Sequence, residues 1–447
     1  MSAQLTVHPG VLSLGPNVRT DTKLDTGFVS SIRERGVLEP IVCYPGEDGL
    51  VIQFGQRRCL AALQAGRDTV PVFVVTAPND VDRVTDQIIE NDQRADLSTT
   101  ERVKGWEQLA AFGLSAAAIA KRTGAKKTYV ATGLRIAASE LAAKAGERWE
   151  FLTLDQVSAI AEFETDPDAV KAIVASAKSG RFDHTLQRLR DNRAEADAQA
   201  VVRAQLTDAG VVVIERDEVV WPMVRLDNHD IDYADHAVCP GHAAYVGYAW
   251  NDGSQLPAPV YVCRDGVAHG HVDAAAGGPA GEGRKPMSEQ EKAERKVTIE
   301  RNREWRSATI VRRDWLRTFV ARKAAPAGAE QFVATCLLRT DHTVRQALEA
   351  GWPLLRELVG HTPTAGDMYS VGRQQLDELV EQVATASAKR ATLLTAAALL
   401  CAWEAKTDTH TWRQRSEQTR RYLTQMQSWG YALSEIETHA CADDGED

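Results

Sequence analysis

The tightest constraint on the fold lies at residues 50–66, where a strand must turn directly into a helix. Leu50-Val51-Ile52-Gln53-Phe54 is a strand-like run, and Arg57 to Gly66 carries Leu60, Ala61 and Leu63 at helical spacing with Gly66 as its stop. The junction between them is Gly55-Gln56-Arg57-Arg58. A glycine followed by paired arginines at such a point suits a phosphate, because helix N-terminal amides and a guanidinium fork both match phosphate oxygens. The same residues also read as a surface arginine pair capping a packed helix, and the local pattern leaves both readings open.

Neighbouring segments narrow the choice. Leu24 to Pro40 reads as a short amphipathic helix with Phe28 and Ile32 inward and Val29 beside them; it ends at Gly36 and runs through Val37-Leu38-Glu39-Pro40 into the strand Ile41-Val42-Cys43-Tyr44. Thr69-Val70-Pro71-Val72-Phe73-Val74-Val75 is a further β-branched run, so the junction sits in a βαβ-like pattern. Val84 to Asn91 is then helical and closes on Glu90-Asn91-Asp92-Gln93-Arg94.

In order along the chain, Ser31-Ile32, Gly36, Pro40-Ile41, Gly55 with Arg57-Arg58, Ala61-Ala62, Ala65-Gly66, Val70-Pro71-Val72, Glu90-Asn91, Gln93-Arg94, Asp96-Leu97 and Glu101 resemble the N-terminal region of the ParB family. The match covers roughly residues 10 to 200, and three ordered motifs at compatible spacing are far more specific than any one. The resemblance implies a CTP-dependent DNA clamp. It assigns Gly36, Gly55, Gln56, Arg57, Arg58, Glu90, Asn91 and Arg94 to CTP and Mg²⁺, with Glu90, Asn91 and Gln56 as candidates for any catalytic step. Mg²⁺ takes hard oxygen ligands such as the Glu90 carboxylate and the Asn91 amide oxygen, and arginines spread triphosphate charge over several donors.

Two departures from the family pattern bear on turnover. The usual GERR is GQRR here, with neutral Gln56 in place of a carboxylate, and a further arginine of the helix is replaced by Leu60. Nucleotide binding survives such changes more readily than hydrolysis does. The same superfold resembles sulfiredoxin, but Cys59 follows the arginine pair rather than preceding it and reads as a small packed residue.

Ser98-Thr99-Thr100-Glu101 reads as a capping box before a helix that Gly113 ends. A short helix from Ser115 to Arg122, a turn at Gly124 and a third helix from Lys127 to Ile136 follow the helix-turn-helix plan, whose last helix enters the major groove. From Ala120 to Arg135 the chain carries five basic residues and no acidic one, against a formal net charge of −10. A basic island on an acidic chain predicts a confined phosphate-binding face for double-stranded DNA. Base-edge contacts are expected from Lys126, Lys127, Thr128 and Tyr129, with Thr132 and Arg135 secondary and Lys121 and Arg122 on the same face. A solvated basic face on a structural three-helix unit is the plain alternative.

Thr153 to Leu189 supplies further helices, with Thr165-Asp166-Pro167-Asp168 as a turn and helix start, and Arg188 to Gln205 reads as a charged, exposed helix. Beyond about residue 205 the family resemblance fades. Val211-Val212-Val213-Ile214 and Val260-Tyr261-Val262 are strand candidates in a small β-rich module that also carries His236, Cys239-Pro240-Gly241-His242, Cys263 and His269-Gly270-His271. A Cys-x2-His pair and a Cys-x5-His-x-His group have the format of a closed tetrahedral Zn²⁺ site, with Cys239, His242, Cys263 and either His269 or His271 as ligands. No general-base motif accompanies the cluster, which favours a structural ion; unligated side chains are the alternative.

Ala274 to Pro286 is Gly- and Ala-rich and reads as a linker. Helices follow at Glu330 to Leu338, Val344 to Glu349, Leu376 to Trp403 and Trp412 to Trp429, and the tail from Ala442 is acidic. The apolar run at Ala396-Ala397-Ala398-Leu399-Leu400 is too short and alanine-rich to span a membrane.

The expected fold is therefore α+β and multidomain. It comprises a small ParB/sulfiredoxin-like α/β domain (1–95), a helical helix-turn-helix domain (96–205), a Cys/His β-rich module (206–273), a linker (274–290), a C-terminal α-helical domain (291–441) and a tail (442–447). Seven cysteines without a regular framework, and no signal peptide or transmembrane run, predict a cytoplasmic protein with no membrane partner. The resemblance implies a homodimeric clamp acting in plasmid, phage or chromosome partition, with a ParA-type ATPase as partner. A ParB-like transcriptional regulator without a nucleotide switch, and less so a ParB-like nuclease, are the alternatives.

Overall fold

The computed structural model describes residues 3–14, 24–93, 99–149, 151–219, 222–251, 254–272, 288–339, 342–350, 352–360 and 368–442. The chain divides into two compact units, Met1–Ser179 and Gly180–Asp447.

The first unit opens with a five-stranded sheet of β1 (Ala3–Val7), β2 (Ser13–Leu14), β3 (Ile41–Gly46), β4 (Gly49–Phe54) and β5 (Val70–Val74), in the order β1-β5-β3-β4-β2. Strand alternation sets the core: Ile41 and Cys43 of β3 and Val70 and Val72 of β5 are fully buried. Helices α1 (Thr26–Arg35) and α2 (Gln56–Gln64) contribute Val29, Ile32, Cys59, Ala61 and Ala62 to the same cluster. Asp25 caps α1 by accepting from Phe28 N at 3.2 Å, so the helix starts two residues later than Leu24.

The βαβ-like pattern resolves differently from its local reading. β3 and β4 form an antiparallel hairpin, and β3, not β4, lies parallel beside β5. Strands β4 and β5 are therefore not neighbours, although α2 connects them. The strand character of β4 and β5 is legible locally, but pairing depends on the Gly46–Gly49 turn and on β1, which no local pattern marks.

Helix α3 (Asp80–Gln93) is longer than the Val84–Asn91 pattern, and Asn79 starts it by accepting from Asp82 N at 2.8 Å. It is followed by α4 (Thr99–Ala111), α5 (Ala116–Thr123), α6 (Lys127–Ala137), α7 (Glu140–Arg148), α8 (Leu154–Glu162) and α9 (Pro167–Ser179). The predicted N-cap Ser98 lies outside the described residues. Thr153 and Gln156 form a capping box at α8, and Asp166 accepts from Ala169 N at 3.0 Å to start α9.

The second unit begins with α10 (Phe182–Asp208), a single 27-residue helix. It packs on the β module and on α11 (Glu289–Val320). The module is a sheet of β6 (Val212–Val213), β7 (Val224–Arg225), β8 (His242–Asn251) and β9 (Ser254–Cys263), in the order β6-β8-β9-β7 around the β8–β9 hairpin.

The C-terminal helices are α12 (Ala329–Leu338), α13 (His342–Glu349), α14 (Pro353–Leu358), α15 (Met368–Thr385), α16 (Ala388–Glu404), α17 (Thr411–Gln414), α18 (Glu417–Ser428) and α19 (Glu435–Cys441). Helix α16 is central: Ala396 to Glu404 is buried without interruption, and α11 to α15 and α18 pack around it. An alanine-rich helix apolar on every side is a core helix surrounded by others. Ser387 caps α16 and divides the expected Leu376–Trp403 helix, while Arg415 at φ 38° and the cap Ser416 divide Trp412–Trp429. Among the described residues no helix is long and apolar enough to cross a membrane.

Candidate functional site

Gly55 adopts φ 98°, ψ 24°, a left-handed conformation that lets β4 turn into α2 without a Cβ penalty. No side chain caps α2, so its positive end carries Gln56, Arg57 and Arg58 in its first turn. The two arginines do different things. Arg58 Nη1 donates to the carbonyls of Glu39 at 2.8 Å and Pro40 at 3.2 Å, and lies 3.2 Å from the Glu39 carboxylate. It ties the loop after α1 to the helix. Arg57 lays its guanidinium over the Phe28 ring, 5.5 Å from the centroid, and its Nε is buried with no hydrogen-bond partner. A buried donor of that kind is uncommon and calls for an acceptor.

Gly36 terminates α1 at φ 75°, ψ −173°, a conformation open in practice to glycine alone. A Cβ at this position would lie 3.2 Å from Arg67 Nη2. The sequence marks Arg67 only weakly, as a third arginine just past the Gly66 stop. Leu60 is half-buried on α2.

Glu90 lies on α3 and is half-buried. Asp92, from the same motif, is ion-paired with Arg102 at 2.6 Å and joins α3 to α4. Arg94 and the Asn91 side chain lie outside what the structure describes. Cys59 is 1 % exposed, its Sγ is 3.5 Å from the Pro9 carbonyl, and burial pushes its thiol pKa up. It packs as a small core residue, as its helical position predicted.

Helices α5 and α6 are joined by Gly124-Ala125-Lys126, with Gly124 left-handed at φ 72°. Ser115 caps α5, and Ile119, Ala120, Val130, Gly133 and Ile136 face inward. A Cβ on Gly133 would lie 2.6 Å from Trp106 Cε3, so glycine is what lets α6 approach α4. Lys121, Lys126, Lys127 and Thr128 are exposed, the last three at the uncapped start of α6. Three of the other expected contact residues are engaged elsewhere. Tyr129 packs edge-on against Trp106 with centroids 5.4 Å apart, because position 129 falls on the flank of α6 next to α4. Arg122 pairs with Asp82 of α3 at 2.8 Å, and Arg135 donates to Ser158 Oγ at 2.6 Å. Thr132 is half-buried.

In the second unit the Cys/His residues converge. Ligand atoms of His236, Cys239, Cys263 and His271 all lie within 4.8 Å of one another. Cys239 and Cys263 were expected there, and of the two alternatives it is His271 that joins them. His242, expected as a ligand, instead holds His236 Nδ1 at 2.8 Å through its own Nδ1 and lies over Tyr261. His269 Nδ1 lies 3.1 Å from Cys263 Sγ. His236 was singled out by its chemistry but not as a ligand; a 3-10 turn over Asp235–Val238, weak as a sequence signal, carries it inward. Burial, with His271, His242 and His269 nearby, lowers the His236 pKa to about 4, and burial pushes the Cys263 thiol up to about 11.

Comparison with known proteins places the N-terminal region. Residues 18–92 match the ParB N-terminal domain. The chromosome-partitioning protein Spo0J of Thermus thermophilus is 38% identical over 109 residues, 24% of this chain and 40% of that protein. The ParB of Caulobacter vibrioides is 32% identical over 193 residues, 42% of this chain and 63% of that protein. The chain thus spans about two fifths of the length of the former and under two thirds of the latter. A solved structure of Caulobacter crescentus ParB with the centromeric parS site shares 25% identity over 39% of this chain and 92% of that one, with a TM-score of 0.30. Another of that protein with CTP-gamma-S shares 30% identity over 40% and 98%, with a TM-score of 0.19. The chain carries a ParB N-terminal domain and resembles the ParB partition family in this region.

Proposed function

We propose that this chain, ParB-like in its N-terminal region, is a sequence-specific DNA-binding partition protein whose first unit binds CTP with Mg²⁺ and closes as a homodimeric clamp on DNA. The observation that carries the nucleotide part is Arg57: a guanidinium with a buried, unpartnered Nε, stacked on Phe28, at the uncapped positive end of α2. A triphosphate would supply the acceptor that this nitrogen lacks. Gly36, Gly55, Gln56 and Arg57 would hold the nucleotide, with Arg58 fixing the Glu39–Pro40 loop beside it. Glu90, with Asn91 and Arg94, would serve Mg²⁺ and phosphate.

The DNA part rests on the α5–α6 pair, read as a helix-turn-helix. Lys126, Lys127 and Thr128 stand at the start of α6, where base-edge and phosphate contacts are made in such motifs, and Lys121 flanks them. Arg122, Tyr129 and Arg135 support the unit rather than read bases, since each is engaged inside it. Thr132 is a secondary contact. A ParA-type ATPase partner and a nucleoid- or plasmid-associated, cytoplasmic location follow from the same reading.

A second reading keeps DNA binding and drops the nucleotide switch; Gln56 in place of the family's carboxylate favours it. Equilibrium binding of CTP against ATP, GTP and UTP with Mg²⁺, on wild type and Arg57→Ala, with phosphate release in parallel, separates the two. CTP-selective binding lost in the variant supports the clamp, and release then reports whether Gln56 spares turnover. No CTP binding by the wild type sinks the clamp and leaves a DNA-binding regulator.

A further inference from the structure

We infer that His236, Cys239, Cys263 and His271 form a closed, four-ligand zinc site that staples the β module of the second unit. The inference stands on the geometry of this module alone and is independent of the nucleotide and DNA readings.

Four ligand atoms of the right chemistry lie mutually within 4.8 Å. With Zn–S near 2.3 Å and Zn–N near 2.0–2.1 Å, a tetrahedron has edges of about 3.8 Å between sulfurs and about 3.5 Å between sulfur and nitrogen. Cys239 Sγ lies 4.0 Å from Cys263 Sγ and 3.5 Å from His271 Nε2. The sulfur separation is roughly twice the 2.03–2.05 Å of a disulfide, so the cysteines are poised around an ion and not bonded to each other.

His236 supplies the second, independent sign. It is 2% exposed and its Nε2 has no hydrogen-bond partner. Its Nδ1 is held by His242 at 2.8 Å, which orients the ring as an outer partner of a metal-bound histidine does. A buried imidazole with one nitrogen fixed and the other orphaned is what a ligand looks like without its ion. The backbone is fitted to the same point: Gly241 N donates to Cys239 Sγ at 3.4 Å, and a Cβ at Gly241 would lie 2.7 Å from Cys263 Sγ.

The role is structural. All four positions come from protein, leaving none open for substrate. The ligands join the 3-10 turn at Asp235–Val238, Cys239 that caps it ahead of β8, the end of β9 and the loop that follows it. That region's own apolar core is small, with Val224, Leu226 and Cys263 buried, and a metal adds the folding free energy such a module lacks. On binding, both thiols ionise and their protons pass to solvent; the histidines bind as neutral imidazoles. Two thiolates then balance the charge of Zn²⁺.

The test uses the untagged full chain, purified without chelator and analysed for metal by mass spectrometry. About one zinc per chain is expected, and replacement by Co²⁺ should give the intense visible bands and sulfur charge transfer of a tetrahedral S₂N₂ site. Cys239→Ser, Cys263→Ser, His236→Gln and His271→Gln should abolish stoichiometric zinc. His269→Gln should retain it, and His242→Gln should retain it with affinity weakened about 10–100-fold. No zinc in wild type after reconstitution and dialysis, or a weak octahedral cobalt spectrum, would overturn the site, and this arm holds even if a ligand variant fails to fold. Retention by His236→Gln alongside loss in His242→Gln would overturn the ligand set.

Discussion

Arg58 Nη1 donates to the backbone carbonyl of Glu39 at 2.8 Å across nineteen positions of sequence, while its neighbour Arg57 holds no equivalent bond through its buried Nε. The paired arginines are therefore not redundant. Arg58→Ala removes a charge-assisted bond to the loop after α1; with the group partly exposed and screened, the loss is about 1 kcal/mol, below the range for buried charged hydrogen bonds. Arg57→Ala removes an unsatisfied donor and should leave stability nearly unchanged while nucleotide binding is lost. Thermal unfolding beside CTP titration distinguishes them, and equal destabilisation by both would refute the division.

Gly133 faces Trp106 at a separation no Cβ can occupy, 2.6 Å from Cε3 and 2.7 Å from Cζ3. In an exposed helix, Ala in place of Gly gains about 1 kcal/mol. At position 133 the forced movement of a fully buried indole outweighs that gain, and overpacking costs about 1–3 kcal/mol. Gly133→Ala should thus destabilise α4 and α6, raising their amide hydrogen-exchange rates, and should weaken DNA binding without touching a basic residue. Unchanged protection in both helices would contradict the packing argument.

What was legible in the sequence followed from local rules. Gly55, Gly36 and Gly124 mark chain reversals because left-handed or extended-positive backbone selects glycine, and each was read as a boundary. The α5–α6 pair was legible for the same reason. Strand partnership was not: β1 and β3 border β5 through long-range pairing that no window of β4 or α2 contains. Nor could spacing show that Tyr129 turns to Trp106, or that His236 displaces His242 at the Cys/His cluster, since a helix flank and a short 3-10 turn decide those orientations.

Lys126 and Lys127 are exposed at the start of α6, and no ion pair holds either among the described residues. Their charge is available to phosphates. Each Lys→Ala change should weaken DNA binding and reduce the slope of log affinity against log salt by about 1. Arg122→Ala should act differently, because its guanidinium already pairs with Asp82 at 2.8 Å; its salt slope should fall by less. A fall in slope as large as that of the lysines would show that Arg122 leaves Asp82 for DNA.

In the second unit, Arg312 is fully buried between two fully buried carboxylates, 2.7 Å from Glu404 and 2.8 Å from Glu437. Tyr422 donates to Glu404 at 2.8 Å, and Tyr431 and Ser434 donate to Glu437 at 2.9 and 2.7 Å, so the network's remaining acceptors are occupied. Burial alone would raise the Glu437 pKa, but Arg312, with His184 and hydrogen bonds from Arg312 and Ser434, outweighs it and holds the carboxyl below its ordinary 4.5. A folded-state pKa below the unfolded one contributes stability that is complete above about pH 4.5 and is lost as pH falls through the lowered value. The wild-type unit should therefore lose stability steeply in acid below that point. Glu437→Gln leaves Arg312 short of a countercharge and should cost about 3–5 kcal/mol near neutrality, with a flatter acid limb. Urea unfolding from pH 3 to 7, followed by exchange in α11 and α19, measures both effects; parallel acid limbs for wild type and variant would remove Glu437 as their source.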